Sequence, residues 1–515
     1  MKEQPADSPT RLLGAVAVAL GLAYIGAYIA IALSRIGYPF ELEWMEGGAV
    51  DHVGWILAGR PLYGAPSLAF IPYIYTPFYF YLAALISLVT GVGFLPLRLL
   101  SFLSSLAILA LIALLVRRET RGWRFPLISA GLFAATFRIS GAWLDIARVD
   151  SLAIALLLLG SYLSLGERSP RWLLLAGLSL GLSFLTKQST LPAIGAVVLA
   201  ILVADPRRGL ILLLSQAVLI GGSTLLLNAV HHGWYSYYVF ELPRRHPILP
   251  EVYVQFWIKD LLPHLPLAIA LSVPWFVLSR GAAIRGRLFY PLFALAMIGT
   301  SYVSRLHEGG YDNVLIPACA ALAILAGLGS HALIEWGRRT APRAGAIAPS
   351  LRGRAVPSLC FLAWIVQLAI LVYSPGKQIP TKEDEAQGRR LIEMIARVDG
   401  EVLMPSHGYL AALAGKETHA QGMAVLDVLR AEKGQIRQRL LEEMHDAIRS
   451  RRFGAVIINL VRLRGSHLDY GGLPRIADHY ESQRRVFNDE TSFWPVTGMP
   501  TRPELFLVPK RTGER

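Results

Sequence analysis

Charge is what this chain has least of. Of its 515 residues, 17% are Asp, Glu, Lys or Arg, against about 25% in an average soluble domain. By contrast 54% are hydrophobic and the mean hydropathy is +0.46, so an ordinary soluble enzyme is excluded. Cysteine is nearly absent. Cys319 and Cys360 both fall in apolar runs, which rules out a disulfide framework and a CxxC metal site. The segment after Tyr373 has no GxGxxG, no GxxxxGK[ST] and no nucleophile elbow, so the common nucleotide-binding and hydrolase signatures are missing.

What charge there is falls unevenly. Residues 374–515 hold 22 Lys/Arg and 19 Asp/Glu in 142 positions, while residues 1–373 hold 28 and 17. The chain therefore reads as a membrane body over 1–373 and a soluble domain over 374–515. The fold class expected is an all-α polytopic membrane protein with a small C-terminal α/β domain. In that domain, 382–397 and 425–452 have helical periodicity, and the apolar runs 402–404, 455–460 and 505–508 read as strands. A pI of 9.8 raises nucleic-acid binding, but the tail is nearly balanced in sign. The excess cations sit in short loops such as Arg117–Arg124, Arg207–Arg208, Arg280–Arg287 and Arg338–Arg354. That is how cytoplasmic loops of membrane proteins are charged, so no nucleic-acid partner is expected.

Apolar runs of the roughly 20 residues needed to span a bilayer begin with Leu12–Ser34. They recur near 99–116, 125–140, 151–165, 173–190, 191–204, 209–230, 261–279, 288–304, 313–334 and 355–373. Between Arg60 and Arg98 no formal charge occurs for 37 residues. There we expect one full helix and a broken or re-entrant leg at Ile71–Pro77, where Pro72 and Pro77 interrupt regular helix. The count is about 11 to 13 spans. Alternation of Arg-rich and neutral loops puts the loops at 141–150, 231–260 and 305–312, and the C-terminal domain, on the extracytoplasmic side of the cell membrane.

The first outer loop, 35–75, carries the chemical signal. Glu41, Glu43, Glu46 and Asp51 place four carboxylates within eleven residues, and like charges so close raise at least one pKa, as acid–base work requires. A solvated acidic loop is the plain alternative. Ala58-Gly-Arg-Pro-Leu-Tyr63 and the aromatic run Tyr73–Tyr81 would lay the loop along the bilayer surface, where a lipid-linked substrate is met.

With its acidic pair after the first helix, its Gly-x-x-Leu-Tyr turn and its Tyr-x-Pro-Phe entry to the next helix, the chain resembles the C-type (GT-C) integral-membrane glycosyltransferases. The branch it resembles groups protein O-mannosyltransferases, aminoarabinose transferases and rhizobial lipopolysaccharide transferases. Ala147-Arg-Val-Asp150 and Arg305-Leu-His-Glu-Gly-Gly-Tyr-Asp-Asn313 agree with it, and the likeness covers roughly 10–335. The resemblance implies sugar transfer from a polyprenyl-phosphate donor to a glycan, lipid or protein acceptor outside. It sets the catalytic base on or next to Glu43, with Glu41 and Glu46 open as alternatives. Where the aminoarabinose branch has lysine before proline, this chain has Thr76, which argues against aminoarabinose transfer to lipid A.

Such a transfer needs a carboxylate to take a hydroxyl proton and cations to receive the departing phosphate. Asp150 joins Glu43 and Glu46 as a catalytic candidate. Arg148, Lys187, Arg244, Arg245, Arg305 and His307 are the candidate substrate cations, with Glu41, Tyr63 and Tyr75 beside them. A structural ion pair is the alternative for Arg148 and Asp150, interfacial snorkelling for Lys187, and a solvated charge run for Arg244-Arg245-His246. His231, His232 and His246 have no metal-site spacing. The acidic cluster offers oxygen ligands of the kind a divalent cation takes, and metal dependence stays open. A lipid or sugar transporter or flippase is the rival class, but no repeat relates 1–190 to 191–373. A C-terminal alkaline-phosphatase fusion should be active and a cytoplasmic reporter at the same site silent; the reverse pattern would overturn the sidedness.

Overall fold

The computed structural model describes residues 8–120, 122–166, 169–279, 284–340, 351–459 and 476–511. Arg121, Arg280, Arg343 and Leu460, which entered the sequence reading, lie outside them. Long apolar stretches become long helices. Among the described residues Ser8–Arg35, Phe94–Glu119, Pro206–Val230 and Asp312–Thr340 are each long and apolar enough to cross a membrane, and counting each of the bent pairs 252–278 and 355–396 as one span gives up to six. Shorter apolar helices at 78–90, 124–135, 150–165, 171–186 and 188–204 lie between them. Together they enclose one apolar core running from Ala17 and Tyr28 through Ile112, Leu158 and Leu322 to Trp364.

Small residues set a close helix crossing. A Cβ on Gly131 would stand 2.3 Å from the Cα of Gly21, so the backbones of Ser8–Arg35 and Arg124–Ala135 meet with no side chain between them. Crossings of this kind maximise dispersion contact where no water drives association. At the end of the first helix the buried Arg35 guanidinium donates to both oxygens of Asp145, at 2.7 and 2.6 Å, and to the carbonyls of Ala142 and Gln378. One side chain thus ties the first helix to the 136–149 loop and to the start of the tail.

The 61–97 stretch departs from expectation. After the helix Glu46–Leu57, residues 59–77 form an irregular loop, and helix resumes only at Phe78–Thr90. Pro61, Pro66, Pro72 and Pro77 deny that loop both helical geometry and amide donors. Its apolar side chains Leu62, Leu68, Ile71 and Tyr73 are buried instead against Leu403, Val425, Leu440 and Phe453 of the tail.

The tail is the α/β unit expected, with two differences. Strands β1 (Glu401–Leu403), β2 (Phe453–Ile458), β3 (Tyr480–Arg485) and β4 (Leu505–Pro509) form one sheet in the order β1-β2-β4-β3, with β1 and β2 parallel and the other pairs antiparallel. β3, Tyr-Glu-Ser-Gln-Arg-Arg, has no apolar alternation because it is an edge strand with exposed charges, a common guard against edge-to-edge pairing. The single helix expected over 425–452 is two, Gly422–Ala431 and Gln435–Arg449, broken before Gly434, where helix is costly. Helix Lys382–Ala396 starts at a Thr381/Asp384 capping box, worth about 1 kcal/mol.

Gly131→Val should force the first and fifth helical segments apart, destabilising by about 1–3 kcal/mol or more. The purified variant's thermal unfolding midpoint should fall in detergent; an unchanged midpoint would mean that the crossing is not tight.

Candidate active site

Four carboxylates enter the first loop, and the fold gives each a different environment. Glu46 begins the helix Glu46–Leu57 and is fully buried. Its Oε1 accepts from Arg98 Nε at 3.0 Å and from the Ala147 amide at 2.7 Å. Its Oε2 accepts from Arg98 Nη2 at 2.6 Å and from the Leu42 amide at 2.6 Å. Burial works to raise this carboxyl, but Arg98 and the bonds from Ala147 and Leu42 outweigh it and hold it below the usual range. Every strong acceptor position is occupied. As an alternative base Glu46 is therefore badly placed, and it serves as the anchor of the loop.

Glu43, one helical turn earlier, is the opposite case. It is fully buried, its Oε2 accepts from the Met45 amide at 3.1 Å, and its Oε1 has no hydrogen-bond partner among the described residues. Burial, against the pull of Arg148, pushes its carboxyl up to about 8. Arg148 Nη1 lies 3.9 Å from Glu43 Oε2 and is likewise without a hydrogen bond, while Nη2 donates to the Tyr75 hydroxyl at 3.0 Å. The guanidinium sits between the rings of Tyr73, Tyr75 and Trp143. The tail closes over the pair. Gly498 has φ +79°, and a Cβ there would stand 2.6 Å from Glu43 Cγ, so only glycine brings the chain this close. Residues 497–498 are held down by Thr497, which donates to the Gly141 carbonyl and whose amide donates to that of Leu42.

Glu41 meets His407 of the tail, carboxylate oxygen against Nδ1. Burial first, then Glu46, raises the Glu41 carboxyl well above the usual range, and burial drives His407 down to about 3. Burial thus disfavours the charged form of both partners. Asp51 is raised too, by burial and by Glu41. Among the described residues no group of three or more His, Cys, Asp or Glu is arranged to hold a metal ion.

Asp150 lies beside this centre. Its Oδ1 accepts from Lys187 Nζ at 2.6 Å and Asn313 Nδ2 at 3.1 Å, and its Oδ2 from Trp143 Nε1 at 3.1 Å. Lys187 Nζ is 5.8 Å from the centre of the Tyr75 ring, so Tyr75 bridges the two cations Arg148 and Lys187. The Asp150–Lys187 pair stands at an apolar cleft lined by Ile154, Leu157, Ala193, Met297 and Ile316. Tyr63 supports Tyr75 by donating to its carbonyl at 2.7 Å.

The remaining sequence candidates lie elsewhere. Arg305, the leading phosphate ligand on the sequence reading, donates to Asp260 through Nε and Nη2 at 2.9 and 3.1 Å and to the Gly310 carbonyl at 2.8 Å, with Asp312 at 3.3 Å. It is the core of an ion-pair knot and has no spare fork. Arg244 and Arg245 are exposed, and Arg245 pairs with Glu432 and Glu241. His307 is half-buried, its backbone bridged to Ile248. Thr76 is buried and donates to the Phe184 carbonyl at 2.8 Å. Sequence reasoning missed Arg98. Its signal was a lone charge between apolar runs, which is costly unless paired.

Comparison with known proteins bears on this arrangement. Residues 75–234 match the family model described as dolichyl-phosphate-mannose-protein mannosyltransferase. Over 248 residues the chain is 28% identical to an undecaprenyl phosphate-alpha-4-amino-4-deoxy-L-arabinose arabinosyl transferase of Aeromonas hydrophila. That match covers 45% of this chain and 42% of the relative's length. Two crystal structures of ArnT from Cupriavidus metallidurans share the fold. The one bound to undecaprenyl phosphate gives a TM-score of 0.51 at 14% identity, covering 84% of this chain and 90% of that one. The apo one gives 0.56 at 13%, covering 94% and 97%. The resemblance to the C-type integral-membrane glycosyltransferases, in the branch that includes the aminoarabinose transferases, is thereby shown, as is a mostly helical fold with several apolar helices and a small C-terminal sheet.

Glu46→Gln leaves Arg98 buried without its counter-charge and should destabilise by about 3–5 kcal/mol. Glu43→Gln changes a carboxyl whose Oε1 has no partner and keeps an oxygen for the Met45 amide, so it should leave stability within about 0.5 kcal/mol of wild type. Equal losses in the two variants would contradict the division between anchor and free carboxylate.

Proposed function

We propose that the protein is a membrane glycosyltransferase that moves a sugar from a polyprenyl-phosphate donor to a hydroxyl-bearing acceptor (glycan, lipid or protein) on the extracytoplasmic face. In this reading 1–373 is the transmembrane body, and 374–515 is an extracytoplasmic domain that roofs the site. The observation that carries it is the buried Glu43–Arg148 pair, in which a carboxylate oxygen and a guanidinium nitrogen both lack hydrogen bonds. It stands beside a second cation, Lys187, at the mouth of an apolar cleft.

Each group then has a task. The phosphate end of the polyprenyl chain meets the apolar cleft lined by Ile154, Leu157, Ala193 and Met297, where burial of apolar surface adds affinity. The donor phosphate is received by Arg148, with Lys187 adjacent, because a departing anion in a low-dielectric site needs charge already in place. Thr76 offers no cation, and Arg305 is committed to Asp260. The acceptor oxygen attacks the anomeric carbon, the carbon–oxygen bond to the phosphate breaks, and its electron pair leaves on the phosphate. The hydroxyl proton passes to Glu43. Asp150 orients Lys187, and Glu46 fixes the loop.

The base must be ionised to work. With its carboxyl pushed up to about 8, the competent fraction grows with pH, so kcat/KM should rise through about pH 8 and level off above it. Glu43→Gln should insert and bind undecaprenyl phosphate normally while transferring sugar about 10²- to 10⁴-fold more slowly, with that pH limb gone. Full turnover in this variant, or an unaltered pH limb, would remove Glu43 from the role.

A further inference from the structure

Above the Glu43–Arg148 pair the tail contributes a second buried polar group to which the mechanism assigns no task. Asp427, on the helix Gly422–Ala431, is 3% exposed, and its Oδ1 has no hydrogen-bond partner among the described residues. His246, the one member of the Arg244-Arg245-His246 run that turns inward, is 7% exposed, and its Nε2 also lacks one. The two atoms are 3.7 Å apart, and Arg430 Nη1 is 3.8 Å from the same Oδ1, ion-pair distances with no hydrogen bond to that oxygen, while the His246 ring also bonds the Asp427 backbone. Arg430 is steadied by the carbonyl of Glu308 at 3.4 Å. The Asp427 carboxyl is raised to about 7 by burial, against the pull of Arg430 and also of Arg148. Asp427 therefore lies within electrostatic reach of the cation that faces Glu43. The helix bearing it is seated directly on the first loop, where Gln421 donates to the Trp44 carbonyl at 3.3 Å and the Ala420 amide to that of Leu68 at 2.8 Å.

A buried polar atom left unbonded is costly to a fold. Two at one point, on separate elements and beside the proposed reaction centre, form a site that a ligand completes. Its chemistry selects the ligand. A carboxylate repels a phosphate, an apolar chain gains nothing from these groups, and Arg430 with Arg148 disfavours an ammonium. A ring bearing several hydroxyls both donates and accepts, and satisfies a carboxylate, a neutral imidazole and a guanidinium together.

Building on the function proposed above, we propose that Asp427, with His246 and Arg430, holds the hydroxyls of an uncharged sugar on the donor lipid and so sets sugar specificity. The tail then grips the group being transferred while the membrane body grips the lipid phosphate.

The test compares bare undecaprenyl phosphate with undecaprenyl phosphate carrying mannose, glucose, galactose or 4-amino-4-deoxyarabinose, each titrated onto purified full-length protein in lipid nanodiscs. Wild type should bind at least one neutral-sugar lipid at least tenfold more tightly than the bare lipid, and the amino sugar no better than the bare lipid. Asp427→Asn should lose about tenfold or more of the neutral-sugar increment with bare-lipid affinity unchanged. His246→Gln, on a different element, should show the same selective loss if Asp427→Asn fails to fold. A retained increment in the folded variants, an equal loss for all lipids, or wild-type preference for the amino sugar overturns the assignment. Failure of wild type to bind even bare undecaprenyl phosphate overturns the donor reading itself, and this inference with it.

Discussion

The buried ion pair between Glu46 and Arg98 is the constraint on which the site depends. Arg98, near the start of the helix Phe94–Glu119, reaches the carbonyls of Tyr38 and Phe40 as well as both Glu46 oxygens. Glu46 in turn receives the amide of Ala147, next to Arg148. One two-residue contact therefore fixes the loop after the first helix, a later helix and the segment that carries Arg148. Taking both charges out of water is expensive, and a pair this well bonded offsets that cost only by its geometry. What it secures is position: Glu43 and Arg148 are held 3.9 Å apart without bonding to each other.

The second constraint is the roof. The tail shares a single apolar core with the first loop, Val50, Leu62 and Tyr73 packing with Val425, Leu440 and Phe453. Gly498 lies against Glu43 with no room for a side chain. Such enclosure raises the Glu43 carboxyl by denying it water, and it gives unpaired charges their strength. The 1–373 and 374–515 parts are thus packed through one apolar core, although their compositions differ as those of two separate compartments do.

Much of this was legible in the sequence because it rests on local pattern. Apolar runs gave the long helices, and the acidic run held Glu43 and Glu46, which the fold buries. The roles within the loop were not legible. Glu43 and Glu46 are alike in sequence, and only the distant Arg98 and Ala147 separate anchor from free carboxylate. Arg305 read as a phosphate ligand because Asp260, 45 residues away, gives no local sign of being its partner. Asp427 was invisible for the same reason, lying in a helix of ordinary amphipathic pattern. Ile71–Pro77, expected as a broken or re-entrant leg, is instead part of an irregular loop whose apolar residues share a core with the tail, a tertiary choice that hydropathy does not encode.

The central claim is that donor phosphate and acceptor hydroxyl meet between Arg148 and Glu43. A structure of the protein bound to a polyprenyl-phosphate sugar tests it directly. The account predicts phosphate oxygens within hydrogen-bond distance of Arg148 Nη1, the phosphate end of the chain at the cleft beside Asp150 and Lys187, and the sugar between Glu43 and Asp427. A phosphate seated on Arg305, or a lipid chain remote from that cleft with Glu43 still sealed beneath Gly498, would contradict it.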